Sequence, residues 1–299
     1  MNRIKGYILK FLYEYGNFIP DSVYLRCLFF LKMGKRLNLK NPETFCEKLQ
    51  WLKLYDRKPE YTRMVDKLAV KDYVSEIIGD EYVIPTLGAW EKPEDIEWDK
   101  LPQKFVLKTT HGGGSTGVVI CKDKTTLNKN QAIIRLKQSM KQDIYRVLRE
   151  WPYKNVPRRI IAEKYISSKD KPDDLPDYKF FCFNGEPKYC QVISGRETDE
   201  RIDFFDYEWN HQPFHEPKKY AFADLEPQRP TNLNKMWELA KQLSKGLSFA
   251  RIDFYEVDQI LYFGEITFFP TSGMGDFEPK EWDYLFGSWI KLPLKNKKL

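Results

Sequence analysis

Residues 104–123 read KFVLKTTHGGGSTGVVICKD, in which two valine-rich pieces, Phe105-Val106-Leu107 and Val118-Val119-Ile120, flank a lysine, a histidine and four glycines. The pattern predicts two short strands joined by a glycine-rich loop. Glycine costs a loop backbone entropy, so four together imply that something approaches the main chain closely. A phosphate chain is a ligand that requires such an approach, because backbone N–H groups can cradle it.

The glycine spacing alone fits several phosphate loops, and the residues around it separate them. Read as G-x-x-x-x-G, the stretch lacks the Lys-Ser/Thr that completes a P-loop, since Val118-Val119 stand there. A dinucleotide-binding turn opens a helix, whereas VVICKD has strand character. Gly112, Gly114, Gly117 and Val119 match the protein-kinase glycine pattern. Neither His-Arg-Asp nor Asp-Phe-Gly occurs, however, and the nearest tripeptide is Asp276-Phe277-Glu278.

Lys108 sits at the end of the first strand, immediately before the loop, and Lys67 in VDKLAVK offers a second cation. Far downstream come Arg251-Ile252-Asp253 and Gly264-Glu265-Ile266-Thr267. Residues two apart on a strand share a face, so Arg251 goes with Asp253 and Glu265 with Thr267. The alternates Ile252, Phe254, Ile266 and Phe268 are apolar and suit a core. Two such strands in a hairpin would gather Arg, Asp and Glu on one face, which costs free energy unless a metal or anion compensates it. Asp253 and Glu265 carry the oxygen chemistry that suits Mg²⁺. The alternative is a solvated sheet face crossed by salt bridges; the glycine loop and the lysines favour the site.

Taken together these residues resemble an ATP-grasp ligase. FVLKTTHGGGSTGVVI resembles its strand–lysine–glycine-loop–strand, IAEKYI its nucleotide hinge, VDK its upstream phosphate lysine, and ARIDFY with FGEITFFPTSGM its metal-binding end. More narrowly, NPETFCEKLQWLKLYDR, DYKFFCFNGEPKYCQV and GEITFFPTSGM resemble the TupA-like branch, named for teichuronopeptide synthesis and found among bacterial surface-polysaccharide genes. The resemblance implies an α+β ATP-grasp fold, two lobes clasping ATP, here with a mostly helical N-terminal region. It implies that Lys67 and Lys108 hold the ATP phosphates and that the glycine loop, with Gly113, Gly114 and Ser115, folds over them as a lid. Glu163 and Lys164 would contact the adenine edge, Ile166 would supply hinge hydrogen bonds, Asp170 would take the ribose, and Lys179 joins the ATP-binding set. Asp253, Glu265 and Thr267 would bind Mg²⁺, and Arg251, with Lys108, would be catalytic, stabilising an acyl phosphate. Thr267 stands where many ATP-grasp enzymes carry asparagine. His111 lies in the lid region and could touch phosphate.

The composition is that of a soluble globular enzyme. The chain has 299 residues, 42% hydrophobic and 31% charged, with net charge +6. That charge favours anionic partners without identifying one. Aromatics reach 15%, high enough to furnish a sugar or base site as well as a core. Five cysteines form no C-x-x-C pair and three histidines are too few for a histidine-rich metal centre, so reduced thiols and a cytosolic setting are expected. No signal peptide is read at the N-terminus. The apolar run YLRCLFFLKM (residues 24–33) is too short to span a bilayer and is expected to be a buried helix rather than a membrane-surface one.

Along the chain, residues 1–100 read as mostly helical, with Asn41-Pro42 and Thr44 starting one helix and a short strand near residues 82–90. Residues 101–170 read as the lobe carrying the lid, with a helix from 130 to 150 and a strand after Pro157; residues 171–299 read as the metal-bearing lobe, entered through the breaker KPDDLP. Within it an Asn184-Gly185 turn predicts a hairpin. The function these features favour is an ATP- and Mg²⁺-dependent carboxylate–amine ligase. It would join a uronic-acid carboxylate of a bacterial surface glycan, or its nucleotide- or lipid-linked precursor, to an amino acid or related amine. It would work in the cytoplasm, without a nucleic-acid partner, and in contact with the inner face of the membrane where the precursor is lipid-linked. The competing readings are a glycosyltransferase of polysaccharide synthesis and a non-catalytic scaffold binding membrane or glycan.

Overall fold

The structure is a computed structural model that describes residues 3–114, 116–168, 175–195 and 199–294. Ser115 and Asp170, both expected at the nucleotide, lie outside the described residues, as does most of the KPDDLP breaker.

The N-terminal region is helical, as its periodicity predicts: α1 (Arg3–Tyr15), α2 (Asp21–Met33), α3 (Phe45–Tyr55), α4 (Glu60–Val65) and α5 (Ala69–Ile78). The start signal before α3 is a capping box in which the Thr44 hydroxyl accepts from the Glu47 N–H and the Glu47 carboxylate accepts from the Thr44 N–H. The apolar run of α2 is a buried helix, packing Tyr24, Leu25, Leu28 and Phe29 inward. No described helix is long and apolar enough to cross a membrane.

Two antiparallel sheets follow. The first orders its strands β1-β4-β2-β3, from β1 (Thr86–Trp90), β2 (Phe105–Thr109), β3 (Val118–Cys121) and β4 (Ile160–Lys164). Helix α6 (Lys129–Met140) closes one face through Ala132 and Leu136 against Phe105, Leu107, Ile160 and Ala162. β1 precedes residue 100 in sequence and yet pairs with β4, Thr86 opposite Glu163. Only residues 86–90 of the expected strand form it. The helix expected over 130–150 is two pieces, α6 and α7 (Ile144–Leu148). The break lies at Asp143, whose extended backbone and side chain, accepting from the Arg146 N–H, start a new helix.

The second sheet orders its strands β7-β6-β5-β8-β9, from β5 (Asp177–Phe183), β6 (Glu186–Ser194), β7 (Arg201–Phe205), β8 (Phe249–Val257) and β9 (Ile260–Thr267). Asn184 and Gly185 both take left-handed φ, at 51° and 83°, and make the expected two-residue hairpin. β5 is buried along its whole length because both faces are covered. On one face lies α8 (Leu233–Leu243), whose Trp237 ring meets Phe180 edge-on at 5.2 Å. On the other, Phe45 of α3 sits among Phe181, Phe183, Phe249, Phe277 and Phe286, the last on α9 (Glu281–Trp289).

The α3–α9 contact is close enough to test. A Cβ at Gly287 would lie 2.6 Å from the Thr44 carbonyl carbon and 2.7 Å from the Phe45 nitrogen, backbone atoms that cannot swing away. Gly287→Ala is therefore expected to cost about 1–3 kcal/mol in urea unfolding, as overpacking does. Gly6→Ala, with nothing within 4 Å, serves as the control and is expected to be neutral or stabilising by up to ~1 kcal/mol.

Candidate active site

The second sheet carries a row of alternating charge. Register places Lys179 of β5 opposite Asp253 of β8, Asp253 opposite Glu265 of β9, and Arg251 opposite Thr267. The register shifts after Asp253, so Gly264 is the extra residue of a bulge; a Cβ there would sit 3.1 Å from the Asp253 carbonyl oxygen and 3.2 Å from the Tyr255 ring. The bulge brings Glu265 square to Asp253. The Arg251 guanidinium donates to both Asp253 carboxylate oxygens at 2.7 Å, to Glu265 at 3.0 Å and to Thr267 Oγ1 at 3.1 Å. The Thr267 hydroxyl in turn donates to Glu265 Oε1 at 3.0 Å. Lys179 is ion-paired with Asp253 and, at 2.9 Å, with Asp177. The opposite faces hold Ile252, Phe254 and Ile266 in the core, as the alternation predicts.

These charges differ in what they offer a ligand. Asp253 is buried, whereas the Glu265 side chain is 41% exposed. The part of Glu265 that is shielded from solvent would push its carboxyl up, but Lys67, Arg251 and Lys179 outweigh this and pull it down to about 2. Glu265 is thus an ionised oxygen donor facing the open side of the sheet. Among the described residues no cluster of three His, Cys, Asp or Glu side chains is arranged to hold a metal. The oxygen donors brought together are two carboxylates and the Thr267 hydroxyl, with Arg251 lying across them. A hard divalent cation fits such a set, provided that solvent or phosphate oxygens complete its shell.

The first sheet supplies the cations. Lys108, on β2, is 2.7 Å from Glu163 of β4, and Lys71 of α5 is 2.6 Å from the same carboxylate while donating to the Ile84 carbonyl at 2.6 Å. Glu163 is buried, which raises its pKa, yet the Lys108 and Lys71 ammoniums hold it below the usual carboxylate range. Lys164 is exposed at the end of β4, and Ile166 is half-buried in the connection after it.

The glycine loop divides into a base and a tip. Thr109 and Ser139 share a hydrogen bond of 2.8 Å under the base, and a Cβ on either Gly112 or Gly117 would run into these hydroxyls. Gly113 and Gly114 are exposed at the tip, with Gly114 at φ 62°. Lys67 joins this loop to the charged row: its Nζ donates to the Gly112 carbonyl at 2.7 Å and lies 3.9 Å from Glu265. His111 is buried beneath the loop beside a cavity of about 30 Å³ lined also by Gln142, Asp143, Tyr153 and Arg158. Burial, Arg158 and Lys67 hold its imidazole below the usual range.

Several members of the site are not among the residues expected from the sequence. Asp177 is two residues before Lys179 and so shares its face, a signal that the alternation of DYKFF carries. Lys71 lies four residues after Lys67. Glu216 had no local signal: it is buried, accepts from the Thr271 hydroxyl at 3.0 Å, and is packed against Gly275. Thr271, Ser272 and Gly273 take consecutive left-handed φ of 47°, 56° and 61° just beyond β9. That turn is held from α3, where Gln50 donates to the carbonyls of Ser272 and Gly273 at 2.9 and 2.8 Å and Lys53 to the Ser272 carbonyl and hydroxyl at 2.8 and 2.7 Å.

Glu216 gives the site region a pH dependence. Burial pushes its carboxyl up to about 7, against opposing pulls from Thr271 and Arg251. The folded pKa is raised, so this group favours the folded state below its ordinary value of 4.5, and that contribution is lost as pH rises through about 7. A shift of that size corresponds to ~3 kcal/mol. Thermal melts from pH 5 to 8 are expected to fall with rising pH in the native sequence, and Glu216→Gln is expected to flatten that slope.

The TupA-like ATPgrasp family matches residues 47–291, most of the chain. No curated protein matches it. Among solved structures, the D-alanine–D-alanine ligase of Bacillus anthracis complexed with ATP is 19% identical, over 68% of this chain and 53% of that one, with a TM-score of 0.38. The D-alanine–D-alanine ligase of Helicobacter pylori is 14% identical over 82% of this chain and 68% of that one, with a TM-score of 0.44. The ATP-grasp ligase PsnB, complexed with minimal precursor, Mg and ADP, is 13% identical over 74% of this chain and 57% of that one, with a TM-score of 0.38. The chain thus spans a little over half the length of the Bacillus anthracis enzyme. Its helices and two antiparallel sheets give the expected α+β class, and by the family match the chain belongs to the TupA-like ATP-grasp family.

Proposed function

We propose that the protein is an ATP-dependent carboxylate–amine ligase acting on a uronic-acid carboxylate of a bacterial surface glycan or its nucleotide- or lipid-linked precursor, with an amino acid or related amine as nucleophile. The observation that carries this reading is Arg251, a planar fork held between Asp253 and Glu265 and facing the side from which Lys67 reaches the glycine loop. A guanidinium there can turn from its carboxylate partners to a substrate carboxylate or acyl phosphate. In this reading the first sheet and the loop form the nucleotide lobe, the second sheet the metal lobe, and the N-terminal helices brace both.

The chain's own residues divide the work. Lys67 and Lys108 hold phosphate oxygens, and the exposed N–H groups of Gly113 and Gly114 close over them. Glu163, fixed by Lys71 and Lys108, keeps Lys108 at the end of its strand. Mg²⁺, when bound, would neutralise phosphate charge, with Asp253, Glu265 and Thr267 as its protein ligands. The substrate carboxylate oxygen attacks the γ-phosphorus and ADP leaves. The amine nitrogen then attacks the acyl carbon, the bond from carbon to the phosphate oxygen breaks, and phosphate departs with that oxygen while the amine loses a proton. Positioning and charge neutralisation account for such transfers without an enzyme nucleophile. The site of action is the cytoplasm, beside the inner face of the membrane where the precursor is lipid-linked.

Two measurements test this. With uronic acid labelled with ¹⁸O in its carboxyl group, ATP and a panel of amines, label is expected in the inorganic phosphate; AMP and pyrophosphate, or unlabelled phosphate, would overturn the acyl-phosphate route. Turnover that needs a nucleotide-sugar and no ATP would favour a glycosyltransferase instead. Asp253→Asn and Glu265→Gln are each expected to lower kcat/KM by ~100-fold or more, the scale of losing one preorganised electrostatic contact. Glu265→Gln is expected to keep its cooperative thermal unfolding, whereas Asp253→Asn leaves Arg251 and Lys179 short of a buried partner and is expected to melt lower. Full activity in Glu265→Gln would remove the metal assignment.

A further inference from the structure

Helix α1 is apolar on both sides. Leu9 and Leu12 turn inward and pack with Tyr24 and Leu28 of α2, which satisfies what the fold needs from the helix. Ile4, Tyr7, Ile8, Phe11 and Tyr15 lie on the opposite side, each between 44% and 73% exposed. At helical spacing these five fall within an arc of about 100°, a continuous apolar stripe. Phe18, just past the helix, is 95% exposed. Single exposed apolar residues need no explanation, but an unbroken aromatic and aliphatic stripe implies a covering partner.

Charge indicates which partner. Residues 1–36 hold seven lysines and arginines against two acidic residues, Glu14 and Asp21, so this segment carries +5 of the chain's +6. Asp21 is already engaged by Arg57 at 2.6 Å and Arg149 at 3.0 Å. Arg3 and Lys10 lie along one edge of the stripe by helical position, together with Glu14, which is 3.8 Å from Lys10, and Arg26, Lys32 and Arg36 are exposed nearby in sequence. A second copy of the chain would press one basic segment on another. An anionic lipid surface meets both demands, taking up the apolar stripe below its headgroups and the basic residues among them. Tyrosine and phenylalanine suit that boundary, since an aromatic ring can sit at headgroup depth. With 13 residues, α1 can lie in the interface but cannot span it.

We infer that the outward face of α1, from Ile4 to Tyr15 with Phe18, is a docking surface for an anionic phospholipid bilayer. The inference rests on the surface alone and stands apart from the ligase reading. The test is flotation of the full chain with vesicles of phosphatidylcholine alone and with 30% phosphatidylglycerol. Binding is expected only to the anionic vesicles and is expected to weaken in high salt. The double variant Tyr7→Ser/Phe11→Ser should lose binding at least tenfold. Both side chains are exposed, so its melting temperature should stay unchanged, and a melt run alongside checks that the loss is not unfolding. Equal binding by variant and native chain, or no binding to anionic vesicles, would overturn the inference. A concentration-dependent dimer that the double variant abolishes, without vesicle binding, would assign the stripe to a second copy and overturn it too.

Discussion

The row Asp177, Lys179, Asp253, Arg251, Glu265 sets the terms for the rest of the molecule. Three carboxylates and two cations stand side by side on a sheet whose other face is core, and Lys67 adds a third cation from outside it. Burying any one of these alone would cost several kcal/mol. Together they are nearly neutral, and each side chain has an oppositely charged neighbour. Such a row stabilises the fold only weakly relative to an apolar sheet, so its presence is better explained by what it can bind than by stability. Glu265 at the open end, kept ionised by its neighbours, is where that binding capacity reaches solvent.

Lys67 connects this row to the glycine loop through one side chain, and the backbone repeats the link: the Lys67 N–H donates to the Thr110 carbonyl, and Asp66 pairs with Arg159 at 2.8 Å. The two sheets therefore meet along the segment between α4 and α5, not only where the chain crosses from β4 to β5. A ligand that drew Lys67 away from Gly112 would change the loop and the row at once. Lys108 and Glu163 pair within the first sheet, and Lys71 reaches the same carboxylate from α5, whose Val70 and Val74 lie in the core of the second sheet.

The N-terminal helices do more than cap the structure. Gln50 and Lys53 of α3 reach the carbonyls of the left-handed turn at 271–273, a conformation that costs ~1–3 kcal/mol per non-glycine residue and persists only where its surroundings impose it. The same turn places Thr271 on Glu216. A helix some 220 residues earlier in sequence thus holds the turn that follows β9.

Much of this was legible in the residues themselves. Alternation in ARIDFY and GEITFF fixed which side chains share a face, because side chains on a strand alternate whatever the sheet around them, and Asn184-Gly185 specified its hairpin because both positions need positive φ. The glycine loop was legible as a loop, but the reason for its two outer glycines was not: Gly112 and Gly117 are required by the Thr109–Ser139 hydroxyl pair, and Ser139 comes from α6. The same limit applies to Glu216 and to the Lys71–Glu163 pair. Periodicity is local, so elements, faces and turns can be read from neighbouring residues. Which buried charge meets which partner is set by the folded chain, since those pairings join strands and helices whose separation in sequence carries no signal of their contact.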